Sequence, residues 1–183
     1  MKFYTKDWYL KFYGHVITDD NTLDASYRIA AEWQKAEFAA FPPDVPFIKY
    51  NFHDALITKI ELISDSLIMY MNTQDCHCSV DRVTFHHVLF ENLPDDFRTK
   101  NHLYWMVSEL AYRGGYICIG ILFQDYECWQ PFANMPKTKL KLDTSHMSKE
   151  FPEPYILEFR AKEIAVHEIP RKPKTPWLLR TSS

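Results

Sequence analysis

Residues 55–63 read ALITKIELI, and their period of two restricts the fold of this chain more than any other feature. Successive side chains of a strand point to opposite faces, so Leu56, Thr58, Ile60 and Leu62 are expected on one face and Ile57, Lys59, Glu61 and Ile63 on the other. Ser64-Asp65 suits a tight turn, although a primed two-residue turn usually takes glycine. SLIMYMN then returns as a second strand, and RVTFHHVLFE makes a third, with Val83, Phe85, His87 and Leu89 on one face. YILEFRAKEIAVHEI has the same texture as that third strand, an apolar alternation, a polar step and a second apolar stretch. A bulge after Phe85 and another after Phe159 would account for both.

The first forty residues have a different periodicity. Thr5 can cap a short helix in which Tyr4, Trp8 and Phe12 recur every fourth residue and which Gly14 ends. A second helix follows the capping oxygens of Asp19, Asp20, Asn21 and Thr22, with a stripe of Leu23, Tyr27, Ala30, Ala31, Gln34, Phe38 and Phe41. Pro42-Pro43 stops it. Residues 102–112 fit two readings. Leu103, Met106, Val107 and Leu110 make a helical stripe, but the same segment also reads as a strand, and Arg113-Gly114-Gly115 directly before YICIGILF favours a hairpin. CWQPFANMPKTKLKLDTSHMSKEFPEP reads as a long surface excursion, and PRKPKTPW as the start of an extended tail.

Composition narrows the function. A net charge of -3 provides no uniform positive field for a phosphate backbone, which argues against nucleic-acid binding. The longest apolar run, Tyr116 to Phe123, is far short of the roughly 20 residues that cross a bilayer. Lys6, Asp7 and Lys11 interrupt any secretory core, so a cytoplasmic location without membrane contact is expected. Cys76-His77-Cys78 is spaced too tightly for a zinc knuckle, and Cys118 reads as a buried small hydrophobe. With four glycines there is no phosphate-cradling loop, and the sequence has neither a G-x-S-x-G elbow nor an H-E-x-x-H helix, so no cofactor and no metal are expected.

The candidate site residues are polar groups in awkward places. His53-Asp54 is either a base with its orienter or the polar lip of a strand; adjacent strand residues share a site only if the backbone turns there. His86-His87 poses the same choice. His87 in an apolar row with Phe85, and Glu109 in a row with Leu103, Trp105 and Val107, would each be costly to bury alone, so a meeting of His87 with Glu109 is expected if their strands adjoin. The alternative is that either residue lies at a sheet edge, in water. Tyr126 and Trp129, with Trp105, Tyr112, Tyr116 and Trp177, are aromatics of the kind that anchor protein interfaces, or else part of an aromatic-rich core.

The segments MKFYTKDWY, FHDALI, VTFHHV and LEFRAKEI together resemble a bacterial family of uncharacterised cytoplasmic proteins. The strand that begins with His-Asp is also similar to small polymorphic-toxin immunity proteins, which act by occluding a toxin surface. The resemblance implies a fold more than an activity, and it transfers no catalytic residue. The resulting expectation is an α+β domain over residues 1–169, with two N-terminal helices packed on a mainly antiparallel sheet and a tail over 170–183. The expected function is non-enzymatic binding of a protein partner, of the immunity type. The alternatives are a metal-assisted hydrolase using His53, Asp54, His86 or His87 and Glu109, and a small-molecule sensor.

Overall fold

The computed structural model describes residues 2–5, 8, 20–73, 76, 78–100, 102–125 and 154–170. Among these, the two-helix expectation is corrected: there is one α-helix, α1 (Asp20–Phe38), and the dominant element is a single antiparallel sheet of eight strands. The first helix was expected over residues that lie mostly outside the described ones, although Thr5 Oγ1 does accept a hydrogen bond from the Trp8 N–H at 3.2 Å. The prolines that follow α1 lead into a short 3-10 turn, Pro46–Lys49, which buries Phe47.

The strands are β1 (Ala55–Ile63), β2 (Ser66–Asn72), β3 (Val80–His86), β4 (Leu89–Asn92), β5 (Leu103–Arg113), β6 (Tyr116–Asp125), β7 (Tyr155–Ala161) and β8 (Glu163–Glu168). Their order in the sheet is β4-β7-β6-β5-β1-β2-β3-β8. The two outermost strands continue strands from the opposite part of the sheet. β3 runs into β4 across His87-Val88, and β7 into β8 across Lys162. Their register carries across the junction: His86 faces Glu163, and Leu89, three residues later, faces Arg160, three residues earlier. The Lys162 N–H donates to the His86 carbonyl at 3.0 Å in the gap. Two long bent strands therefore pair along their whole length, and the eight strands reduce to six runs that close into a barrel. The runs form two three-stranded meanders, β1 to β4 and β5 to β8, joined through β1 with β5 and through β3–β4 with β7–β8.

Of residues 102–112, all but His102 resolve as strand, and the hairpin after them turns on Gly114 and Gly115, at φ 57° and 80°, where side chains are disfavoured. Aromatic rings fill the barrel interior. Phe47 stacks on Phe52 at 5.0 Å, Phe52 on Trp105 at 5.0 Å, and Phe85 meets Phe159 edge-on at 4.9 Å. Trp105, a candidate interface anchor by sequence, is a core residue at 1 % exposure.

Several strict alternations fail, and each fails where the ladder is irregular. The register of β1 against β2 shifts at Thr58, which turns Ile57 inward with Ile60 and Leu62 rather than outward with Lys59. Between Trp105 and Val107 the register of β5 against β6 shifts too, so Leu110 continues the inner row while Glu109 moves to the outer face. His87 adopts a left-handed φ of 54° at the bend, and the inner row passes from Phe85 to Val88 and Phe90. His87 and Leu89 are exposed instead of sharing the face of Phe85.

Candidate acidic cavity on the outer face

The two meanders treat their outer faces differently. On β5 and β6 the outward residues Met106, Glu109, Gly120, Leu122 and Gln124 are buried, and α1 packs on β5. Beyond residue 105, β5 has left its pairing with β1, and its open edge is met by Gln34 of α1. The Gln34 amide donates to the Leu110 carbonyl at 2.7 Å and accepts from the Leu110 N–H at 2.9 Å, as a neighbouring strand would.

Glu109 is 6 % exposed. Its carboxylate accepts three backbone N–H bonds from the start of the chain: Lys2 at 2.5 Å, Phe3 at 2.6 Å and Tyr4 at 2.7 Å. Such charge-assisted bonds offset the cost of burying a carboxylate. They also place Phe3 against Trp33 of α1, at 5.3 Å between ring centres. The Lys2 ammonium lies 5.3 Å from the centre of the Trp33 ring. Burial, reinforced by the nearby Tyr27 and Glu109, holds the Tyr4 phenol above its ordinary pKa.

A cavity of about 250 Å³ opens beside this anchor. Cross-strand register builds its floor, because Glu109 faces Gly120 and Gly120 faces Glu158, so two carboxylates flank a position without a side chain. Lys2, Trp33, Glu91 and Cys118 complete the part of the lining that carries chemistry. Arg160 holds Glu91 at 2.7 Å. Burial pushes the Cys118 thiol up in pKa, assisted by Glu91 and opposed by Arg160 and Arg113, so the thiolate is disfavoured at neutral pH. One helical turn after Trp33, Glu37 accepts from Arg113 at 2.6 Å, and that hydrogen bond holds its carboxyl below the usual range. The second oxygen of Glu37, Oε2, is buried without a hydrogen-bond partner.

The residues singled out by sequence lie apart. His87 and Glu109 do not meet: β1 and β2 separate their strands, and His87 instead pairs with Asp65 at 2.6 Å on the surface. The backbone does turn at His53-Asp54, with Asp54 at φ 67°, and the two side chains pair at 2.9 Å, each about half exposed. This pair forms the lip of β1. His86 accepts or shares a hydrogen bond with Ser66 at 3.1 Å. His167, not anticipated, pairs with Asp81 at 2.6 Å. Among the described residues no three His, Cys, Asp or Glu side chains converge as metal ligands. Tyr126 and Trp129 lie outside the described residues. Sequence reading missed Gly120, Glu158 and Trp33, whose common position depends on strand register and on the docking of α1. The one available signal was Gly120 itself, a glycine inside an apolar strand, which marks a close approach or a gap. No helix among the described residues is long and apolar enough to cross a membrane. No family model, curated protein or solved structure matches the chain.

Proposed function

We propose that the protein is a non-catalytic binding module of the immunity type, which holds a protein partner at the acidic cavity on the outer face of β5, β6 and β7. One observation carries this reading: an open 250 Å³ space on the outer face is lined by Glu91, Glu109 and Glu158, by the Lys2 side chain and by the indole of Trp33. Carboxylates beside an aromatic wall suit a positively charged partner surface, and complementarity of this kind favours both encounter rate and choice of partner. A metal-assisted hydrolase gains no support, because His53, the neighbouring His86 and His87, and Glu109 fall in three separate regions.

The test compares native-cell co-purification with the wild-type chain and with Glu158→Gln, at low and at raised salt. The reading requires a partner retained at low salt, released by about 0.5 M salt as screening shortens to a few ångströms, and depleted with Glu158→Gln. A partner held equally by both chains, or insensitive to salt, counts against this site.

A further inference from the structure

Cys76 and Cys78, two residues apart in sequence, lie outside the outer-face cavity. They sit between β2 and β3, in a connection that Thr73 pinches shut: its hydroxyl donates to the Val80 carbonyl at 2.7 Å and accepts from the Val80 N–H at 3.3 Å. Both cysteines are thiols, Cys76 partly exposed and Cys78 buried. The Cys76 N–H donates to the Thr73 carbonyl at 3.1 Å, and the Cys76 thiol donates to the His53 carbonyl at 3.1 Å. That second bond ties the connection to the lip of β1, where Asp54 stands at φ 67° and donates its N–H to the Trp105 carbonyl at 2.9 Å. On the other side of His53, Phe52 stacks on the Trp105 ring. The Cys76 thiol is therefore one hydrogen bond away from a turn that is fixed to the barrel core on both sides.

We infer that Cys76 and Cys78 are a thiol–disulfide exchange site, at which a small-molecule disulfide of the glutathione type closes them into a reversible intrachain disulfide and unties the connection from the lip of β1. Reach permits the bridge. Two peptide units span at most about 7 Å between Cα atoms, and the chain bends at both cysteines, which shortens that span toward the range of about 4.4–6.8 Å that a disulfide takes. Exposure sets the order of events. The Cys76 thiolate attacks one sulfur of the glutathione disulfide, giving a mixed disulfide and one glutathione; the Cys78 thiolate then attacks the Cys76 sulfur and expels the second glutathione. The two cysteine sulfurs are oxidised, the small disulfide is reduced to two thiols, and the two cysteine protons end on the two glutathiones. Cys76 Sγ then carries no proton, so its bond to the His53 carbonyl is lost. A bridge across one intervening residue, with one of its sulfurs accessible, is of the kind that is readily reduced again, which suits a reversible site rather than a permanent staple.

The full chain is equilibrated with oxidised and reduced glutathione at graded ratios, quenched in acid, alkylated and read by peptide mass spectrometry, with amide exchange followed at Asp54. The peptide carrying Cys76 and Cys78 is expected to lose two hydrogens as the ratio turns oxidising and to regain them with dithiothreitol, while exchange at Asp54 quickens about three- to ten-fold. Cys78→Ser should stop at the mixed disulfide on Cys76. Cys76→Ser keeps a hydrogen-bond donor to His53 and should exchange slowly at Asp54 in both redox conditions, whereas Cys76→Ala should exchange fast in both. Thiols that persist under oxidised glutathione, a mixed disulfide that never resolves in the wild-type chain, or a bridge to Cys118 or Cys128 instead would each overturn the site. A bridge that leaves Asp54 exchange unchanged, or slow exchange in Cys76→Ala, would overturn the coupling to the lip.

Discussion

The outer faces of the two meanders are built from the same kind of ladder and end in opposite states. On the face of β1, β2, β3 and β8 the outward rows are Ile63, Ser66, His86 and Glu163, then Glu61, Ile68, Thr84 and Ala165, then Lys59, Tyr70, Arg82 and His167, and none of these residues is buried. Their polar groups pair among themselves: Lys59 with Glu61 at 2.6 Å, Tyr70 with Glu61 at 2.9 Å, and Ser66 with His86 at 3.1 Å. On the face of β5 and β6 the outward row holds Glu109, Gly120 and Leu122, all buried, and the polar groups reach to other parts of the chain, as Glu109 does to residues 2–4. One face is finished by water and the other by protein. The difference teaches that the cavity belongs to the face that α1 and residues 2–4 cover.

Substitutions at matched outward positions can break this contrast. The largest effect is expected for Leu122→Ala, which removes a fully buried outward side chain and should cost about 2–5 kcal/mol in denaturant unfolding, against less than about 0.5 kcal/mol for Ile63→Ala on the open face. Equal losses would mean that the two faces are not differently covered. Glu109→Ala leaves three backbone donors without their acceptor and should cost about 2–4 kcal/mol, with faster amide exchange at Phe3 and Tyr4. Its counterpart Glu163→Ala should be near neutral. Gln34→Ala opens the edge of β5 at Leu110 and should cost about 1–2 kcal/mol, seen as lost exchange protection at that amide. The smallest effect concerns pH. Because the carboxyl of Glu37 titrates below its unfolded value of 4.5, the stability it contributes is present above that pH and is lost as pH falls through the lower folded value. Glu37→Gln should therefore flatten the acid limb of the melting curve below about pH 4.5 while leaving neutral pH little changed.

Strand identity was legible because period-two alternation and turn residues are local. The segment 55–63, its return strand and the Gly114-Gly115 hairpin follow from side-chain direction and positive φ alone. α1 was legible for the same reason, since its stripe and the proline stop need no partner. Facing was not legible wherever the ladder slips. The shifts at Thr58 and between Trp105 and Val107 each insert one residue, and a one-residue slip exchanges the two faces of a strand. For that reason Glu109, which alternation places inward with Trp105, stands on the opposite side and meets the chain's beginning rather than His87. The cavity was invisible because it combines residues from β4, β5, β6, β7 and α1 with Lys2, and only the pairing order brings them together.

Closure of the ladder through its two bent strands also bears on how copies of the chain treat one another. An open sheet invites a further strand along each border, whereas here the strands that would form those borders, β4 and β8, are short, four and six residues, and β4 carries the Glu91–Arg160 ion pair beside it. A template so brief, with a charge pair beside it, is a poor seed for fibre growth.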